Sequence, residues 1–259
     1  MNKNNANYTE NDQKIKNVII FFRSWLVFMI IWHLFAIYID NHILVASPIK
    51  VITSLLKMIG TGELFNYITT SLGRLLAGYF LASIVGIGLG LVMGLTPRIR
   101  HSMEPIIEIF RPITGIAWIP IAFLIFGIGS FLPIFIVFYS SFFPILTNTV
   151  HAVRTANPIL VRSAQTMGIS KFKIVTHVIV PSSVPLILTG LRVGVGLAWM
   201  GIVAGELLGS SAGLGYELAM AQQLLETAKL FAIIIVIGFL GYGSDYVLRF
   251  VQRKFVFWG

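Results

Sequence analysis

The stretch Asn157-Pro158-Ile159-Leu160-Val161-Arg162-Ser163-Ala164-Gln165-Thr166-Met167-Gly168, continuing through Ile169 to Pro181, decides how the chain is read. It is the longest break between apolar runs, and it is basic and amphipathic. Asn157 suits a helix N-cap, because its side-chain oxygen can accept a bond from an otherwise unpaired backbone N–H. Pro158 suits the first helical position, where its missing N–H would have no partner. Gly168 stands where a helix C-terminus favours a left-handed residue. Ser170 can cap a second short helix, and Pro181 and Pro185 punctuate the route into the next apolar run. Two short helices lying outside the apolar spans are expected. They form a rigid elbow on which another protein can push.

Outward from that elbow the chain is strongly apolar. Of 259 residues, 56% are hydrophobic and only 11% are charged. A soluble domain carries roughly 25% charged residues, so the deficit itself argues for a membrane protein. In a soluble chain the net charge of +9 would suggest nucleic acid. Here basic residues have another use, holding loops on the cytoplasmic side, and no nucleic-acid partner is expected. The absence of cysteine excludes disulfides, thiolate nucleophiles and Cys-ligated metals. Residues 1–17 read as a polar cytoplasmic tail, and 18–259 as one transmembrane domain. The apolar run from Val18 to Ile39 is too long for a signal-peptide core and is followed by no prompt cleavage site, so it reads as a retained first span.

The expected spans are 18–39, 71–95, 113–128, 131–150, 184–207 and 229–248, an all-α chain with six transmembrane helices. The third is short unless it starts near Ile106, and Gly129-Ser130 alone separates it from the fourth, which predicts a tight helical hairpin. With the N-terminus inside, 15 of the 19 Lys and Arg residues fall on the cytoplasmic side, Arg111 among them. Lys50, Lys57, Arg74 and Lys229 fall outside. This asymmetry places both termini and the loop 151–183 in the cytoplasm. Within 47–70, Ile49, Ile52, Leu55, Leu56 and Ile59 recur at helical spacing and predict an interfacial helix on the outer side. Residues 210–228 read as an outer loop and a short helix. Gly78, Ala82, Gly86, Gly90 and Gly94 share one helix face, as do Gly190 and Gly194 and then Gly201, Gly205 and Gly209. Such faces let a neighbouring backbone approach closely, either within the chain or at a dimer or translocation surface.

Several chemistries are missing. No Walker A loop is present, so the chain does not hydrolyse ATP by that route. The five histidines are scattered and form no HExxH pair, and no Gly-x-Ser-x-Gly occurs, so no catalytic or metal-binding residues are expected. Polar groups inside spans are few. Glu206, late in the fifth span, is either hydrated near the outer interface, a cap for neighbouring helix backbone, or a pathway residue. Asp245 has Arg249 at i+4, which predicts a surface pair. Pro112, Pro120, Pro133 and Pro144 interrupt the third and fourth spans. Broken helices at membrane depth meet a cavity or packed protein. Together with Trp118, Thr147 and Asn148 they mark the candidate pathway lining, with kinked packing as the other reading.

Ala164, Gly168, Val178, Val180 and Pro181 sit at the spacing of the "EAA" loop of bacterial ABC importer permeases: Glu-Ala-Ala, three residues, Gly, nine residues, Ile-x-Leu-Pro. Arg162 and Ser163 replace the first two residues of that pattern, and Val replaces Ile and Leu. Pro185 to Arg192, Leu197-Ala198-Trp199, Ala204 to Gly209, Gly213 to Tyr216, Trp118-Ile119-Pro120 and Phe143 to Thr149 resemble the branch that imports nitrate, sulfonates, taurine, bicarbonate and vitamin precursors. The resemblance implies a permease subunit without an ATPase site of its own and with no cofactor, ATP being bound by partner subunits. It implies a second permease copy, two ABC ATPase subunits and an external substrate-binding protein, assembled in the bacterial cytoplasmic membrane. Pro158, Arg162, Ala164, Thr166, Met167 and Gly168 would form the ATPase-docking helix of the coupling loop. A self-sufficient secondary transporter or channel is the rival reading. Such proteins often carry broken spans in repeated halves and membrane-embedded carboxylates, but no internal repeat is evident here and Glu206 is the one candidate carboxylate.

The orientation is open to direct measurement, because the Cys-free chain is a clean background for single cysteines. Cysteines at positions 62 and 212 should react with an impermeant reagent on intact cells, and cysteines at 10, 171 and 254 should not. Strong external labelling at 171 would reverse the topology.

Overall fold

The computed structural model describes residues 23–24, 26–39 and 44–255, residue 255 by its backbone alone. The expected tail 1–17, with Lys3, Lys14 and Lys16, and the start of the 18–39 span lie outside the described residues. Among the described residues there is no strand. The helices are α1 (Leu26–Ile39), α2 (Pro48–Gly60), α3 (Glu63–Leu95), α4 (Pro97–Phe110), α5 (Ile119–Phe126), α6 (Phe131–Arg154), α7 (Pro158–Thr166), α8 (Lys171–Ile174), α9 (Val180–Gly209), α10 (Leu214–Gln223) and α11 (Thr227–Phe255). A 3₁₀ turn, Gly115–Trp118, precedes α5, and a π-helical turn, Val175–Ile179, joins α8 to α9.

The core of the bundle is α6, held between α3 and α9. The small-residue face of α3 sets its geometry. A Cβ added to Gly78, Gly86, Gly90 or Gly94 would meet Val137, Ile145, Thr149 or Val153, each 59 residues further on. A constant offset means that the two helices run parallel and in register. On the other side, Gly190, Gly194, Gly201, Gly205 and Gly209 face Asn148, Ile145, Ser140, Pro133 and Leu132 in descending order, so α9 runs antiparallel to α6. Both glycine faces are therefore used inside one chain, and backbone-to-side-chain approach is their function.

Parallel packing forces a return path. Helix α3 ends beside Val153, while α6 begins where the Gly129 N–H donates to the Gly209 carbonyl at 2.9 Å. Those ends are about 30 Å apart along α6 at 1.5 Å per residue, so 96–129 must travel back across the bundle. It does so in two pieces, α4 and the 3₁₀ turn with α5, bent by 82° relative to each other. The single third span expected over 113–128 is thus a broken crossing that begins at Pro97. The intervening Pro112 cannot donate an N–H, which favours the break there.

Three other boundaries move. Helix α3 starts at Glu63 rather than at residue 71, so the outer segment 47–70 holds only α2 before the core begins. On α2, Ile49, Ile52, Leu56 and Ile59 are exposed while Val51 and Met58 are buried, so of the predicted apolar stripe only Leu55 packs against the core and the other four face away from it. The second short helix expected after Ser170 is not separate: Lys171 to Gly209 is one helical run of 39 residues. Pro181 has no N–H to offer the preceding turn, and the chain widens into the π turn just before it instead of stopping. Among the described residues four helices are long and apolar enough to cross a membrane, or five with the bent pair counted as one, and the start of the first of the six expected spans lies outside the described residues. Helix α1 is a shorter apolar helix whose Trp32 packs on Phe231 of α11, ring centres 5.6 Å apart.

Helix α11 is tied to α9 by polar contacts. Arg192 Nε donates to Asp245 at 3.0 Å and Trp199 Nε1 to Ser244 Oγ at 3.1 Å. The predicted pair of Asp245 with Arg249 is present at 2.6 Å, and Arg192 makes it a three-member cluster.

Leucine at Gly90 should be far worse than leucine at Gly88. A Cβ at Gly90 would lie 2.6 Å from Thr149 Cβ, whereas Gly88 has open space. Overpacking commonly costs ~1–3 kcal/mol, and a leucine here pushes on a helix fixed from both sides. In detergent, Gly90→Leu should lower the melting temperature or abolish recovery, with Gly88→Leu close to wild type.

Candidate functional site

Three features outside ordinary packing stand out: the elbow, a cavity at the bend, and a buried ion pair.

The elbow is built by its caps. The Ile159 N–H donates to Asn157 Oδ1 at 2.9 Å, and Pro158 occupies the first turn, as the sequence predicts. At the other end Gly168 has φ +72°, the Gly168 N–H reaches the Gln165 carbonyl at 3.0 Å, and the Ile169 N–H reaches that of Ala164 at 3.1 Å. This is the paired-bond ending that a left-handed residue makes possible. Of the expected docking residues, Pro158, Arg162, Thr166, Met167 and Gly168 are exposed. Ala164 is not. It is buried against the chain's own next segment, in a cleft shared with Ile169, Val178 and Pro181. Its small size lets the elbow close on that segment. Beside the expected Met167, sequence reading missed Ile159, Leu160 and Phe172; the four are 52% to 77% exposed at the polar end of the bundle. Phe172 was hidden from that reading because it lies on the second helix, flanked by Lys171 and Lys173.

The cavity has a volume of about 440 Å³. The bend from Arg111 to Ile116, α6 from Tyr139 to Asn148, and α9 from Val193 to Gly201 line it. Thr147 and Asn148, predicted for the pathway, are both on its wall, with Pro112 and Pro144. Trp118 stands behind the wall: it stacks on Phe110 at 6.1 Å and packs on Tyr139 at 5.5 Å. The Tyr139 hydroxyl donates to the Phe110 carbonyl at 2.8 Å, which pins the bend to α6. Pro120 is exposed on α5 and does not line the cavity.

Glu206 lies elsewhere, fully buried, and cannot touch a solute in this arrangement. The pathway role considered for it gives way to a structural one. Arg74 Nη1 donates to Glu206 Oε1 at 2.9 Å and to the Ala212 carbonyl at 2.6 Å, and Arg74 Nε donates to Ser130 Oγ at 3.1 Å. Ser71 Oγ donates to Glu206 Oε2 at 2.7 Å and accepts from the Leu214 N–H at 2.8 Å. The Gly215 N–H reaches Glu206 Oε2 at 3.0 Å. One carboxylate thus ties α3, α9, the start of α6 and the 210–215 loop together. Gly213, at φ +111°, has to be glycine, since a Cβ there would fall on that carboxylate. Of the alternatives read from sequence, capping of neighbouring backbone is the one realised, at the N-terminus of α10. The pairing itself had one available signal: a lone Arg and a lone Glu each within an apolar span.

Apolar helices packed through glycine, with an exposed elbow at one end, define a polytopic helical membrane protein. The chain belongs to the family described as binding-protein-dependent transport system inner membrane component, whose profile matches residues 82–256. It is 40% identical to a putative ABC transporter permease of Methanocaldococcus jannaschii over 235 residues, 89% of this chain and 88% of that one. It is 32% identical to the taurine transport system permease of Escherichia coli, covering 88% and 84% of the two chains. With the bicarbonate transport system permease of Synechococcus elongatus it shares 29% over 93% and 90%. Among solved structures, an inward-facing form of the MetNI methionine ABC transporter superposes with a TM-score of 0.63 at 18% identity, over 74% of this chain and 96% of that one. The chain is therefore an ABC transporter permease, a membrane component.

Removing one member of the buried pair should be costlier than removing both. Glu206→Leu leaves the Arg74 guanidinium buried without its carboxylate, a loss of ~3–5 kcal/mol for buried pairs. Replacing both, as Arg74→Met with Glu206→Leu, should recover much of that loss. Thermal unfolding in detergent of the two single variants and the double checks it; additive losses would mean the pair is not coupled.

Proposed function

We infer that the chain is the permease half of an ATP-driven importer, working as a homodimer with two ABC ATPase subunits and an external binding protein. The observation that carries this is the elbow. Four large apolar side chains, Ile159, Leu160, Met167 and Phe172, stand exposed on a basic, capped, rigid helical turn at the polar end of a membrane bundle. Lipid does not cover that end, so a protein partner is the natural cover, and the elbow's rigidity suits it to transmit force. The positive-inside asymmetry puts the elbow in the cytoplasm, where ATP is bound, by the partner subunits and not by this chain.

The energy route follows from connectivity. Movement of α7 reaches α8 directly, and α8 continues through the π turn into α9. Helix α9 grips α6 along its length, so displacement of the elbow reorients the walls of the cavity. Binding and release of ATP in the partners would alternate the side to which that cavity opens. The solute is a small sulfonate, taurine, bicarbonate or related molecule, a reading supported by the names of the relatives, with the binding protein supplying much of the choice.

Met167→Asp and Phe172→Asp test this, because both side chains are exposed and neither contributes to the folded core. Both variants should accumulate in the membrane at near wild-type levels. The ATPase should be lost from the purified complex, or hydrolysis uncoupled, with uptake down at least tenfold. Normal ATPase retention with normally stimulated hydrolysis in both would remove the elbow as the coupling element. A self-sufficient transporter would go on transporting after deletion of the ATPase gene.

A further inference from the structure

We propose that Arg111 is the anion-binding residue of the cavity at the bend, and that the solute it holds is a small oxyanion carried on a short apolar body. The proposal rests on the importer reading above and names the chemistry of its transport site.

The position of Arg111 is the first observation. Positive-inside counting assigns it to the cytoplasmic side, yet it lies where α4 ends and the chain turns by 82°. It shares the cavity wall with Tyr139, Ser140, Phe143, Thr147 and Asn148. These occupy the middle of the 24-residue α6, and Val193 to Gly201 occupy the middle of α9. The Tyr139 hydroxyl bonds the Phe110 carbonyl next to Arg111, and Tyr139 lies eight residues from the start of α6 and 15 from its end, ~12 and ~22 Å at 1.5 Å per residue.

The second observation is the lack of a counter-charge. Among the described residues Arg111 is the one charged residue lining the cavity, and no carboxylate lines it. Among the described residues its side chain makes no hydrogen bond or ion pair, while its backbone N–H donates to the Ile107 carbonyl at 2.8 Å. A guanidinium at membrane depth is costly and by default marks a solute site. Arg74 and Arg192, two arginines within the long helices, show what the fold does when the charge is structural: Arg74 is surrounded by a carboxylate, a carbonyl and a hydroxyl, and Arg192 is paired with Asp245. Arg111 has none of these, and it faces space.

The remaining walls fit an oxyanion. Thr114, Ser140, Thr147 and Asn148 supply hydroxyl and amide groups, while Ile113, Phe143 and Met200 supply apolar surface. A guanidinium pairs a planar or tetrahedral oxyanion through two parallel N–H bonds, which an ammonium cannot reproduce. A volume of about 440 Å³ accepts a solute of a few heavy atoms with its water.

The test uses the whole complex, permease with its cognate ATPase and binding protein, in liposomes. The probes are radiolabelled taurine, ethanesulfonate, methanesulfonate and bicarbonate, with choline as the cationic control. The wild type should take up at least one oxyanion in an ATP-dependent way, and no choline. Arg111→Gln should cut that uptake at least tenfold with the ATPase still co-purifying, and Arg111→Lys should retain a larger share. Thr147→Trp, which fills the cavity without touching the charge, should also block uptake. The proposal is overturned if Arg111→Gln stays within twofold of wild type, or if the wild type takes up none of the four oxyanions. It is equally overturned if Arg111→Gln loses the ATPase, since Arg111 would then be pairing inside the assembly. Block by Thr147→Trp with normal uptake by Arg111→Gln keeps the cavity as the route and rejects only the anion assignment. ATP-independent uptake by the wild type instead rejects the importer reading.

Discussion

Everything in this bundle depends on how closely α6 is approached from two sides. In lipid there is no hydrophobic gain in bringing helices together, because the tails are as apolar as leucine. Association has to come from contact, and contact between helices is best where one surface has no side chains to separate the backbones. The 59-residue register between α3 and α6 is that condition written into the chain. Once α3 and α6 are parallel, the segment between them has to cross back, and the bend, the cavity and the position of Arg111 all follow from that crossing.

Much of the fold was legible in the sequence. The two glycine faces, the caps at Asn157 and Gly168, and the Asp245–Arg249 pair are local patterns, fixed by spacing along a single helix, and spacing is what a sequence displays. The candidate site was legible in part. Thr147 and Asn148 were found through the prolines around them, because a proline inside a span forces backbone polarity into a place that must accommodate it.

What stayed hidden depends on depth and on the partner across the bundle. Charge counting treats every cation between apolar runs as a loop residue. It therefore put Arg111 in the cytoplasm and Arg74 outside, although one lines a mid-bundle cavity and the other is neutralised by Glu206. The burial of Ala164 stayed hidden for a related reason. A small residue on an amphipathic helix signals close approach, but not whether the approaching surface belongs to the same chain. The break near Pro112 was obscured because α4 is amphipathic enough to pass for a cytoplasmic segment.

The unbroken run from Lys171 to Gly209 makes the elbow and the far loop two ends of one rod. At 1.5 Å per residue its 39 residues extend ~58 Å, so a tilt of ten degrees about one end would swing the other by roughly 10 Å. The far end is also where Glu206 holds the 210–215 loop. A pivot at the elbow would carry that loop as cargo, and the same leverage works in reverse. Whatever settles on the loop from the opposite side of the membrane can report its arrival to the elbow through geometry alone, with no relay of side chains in between.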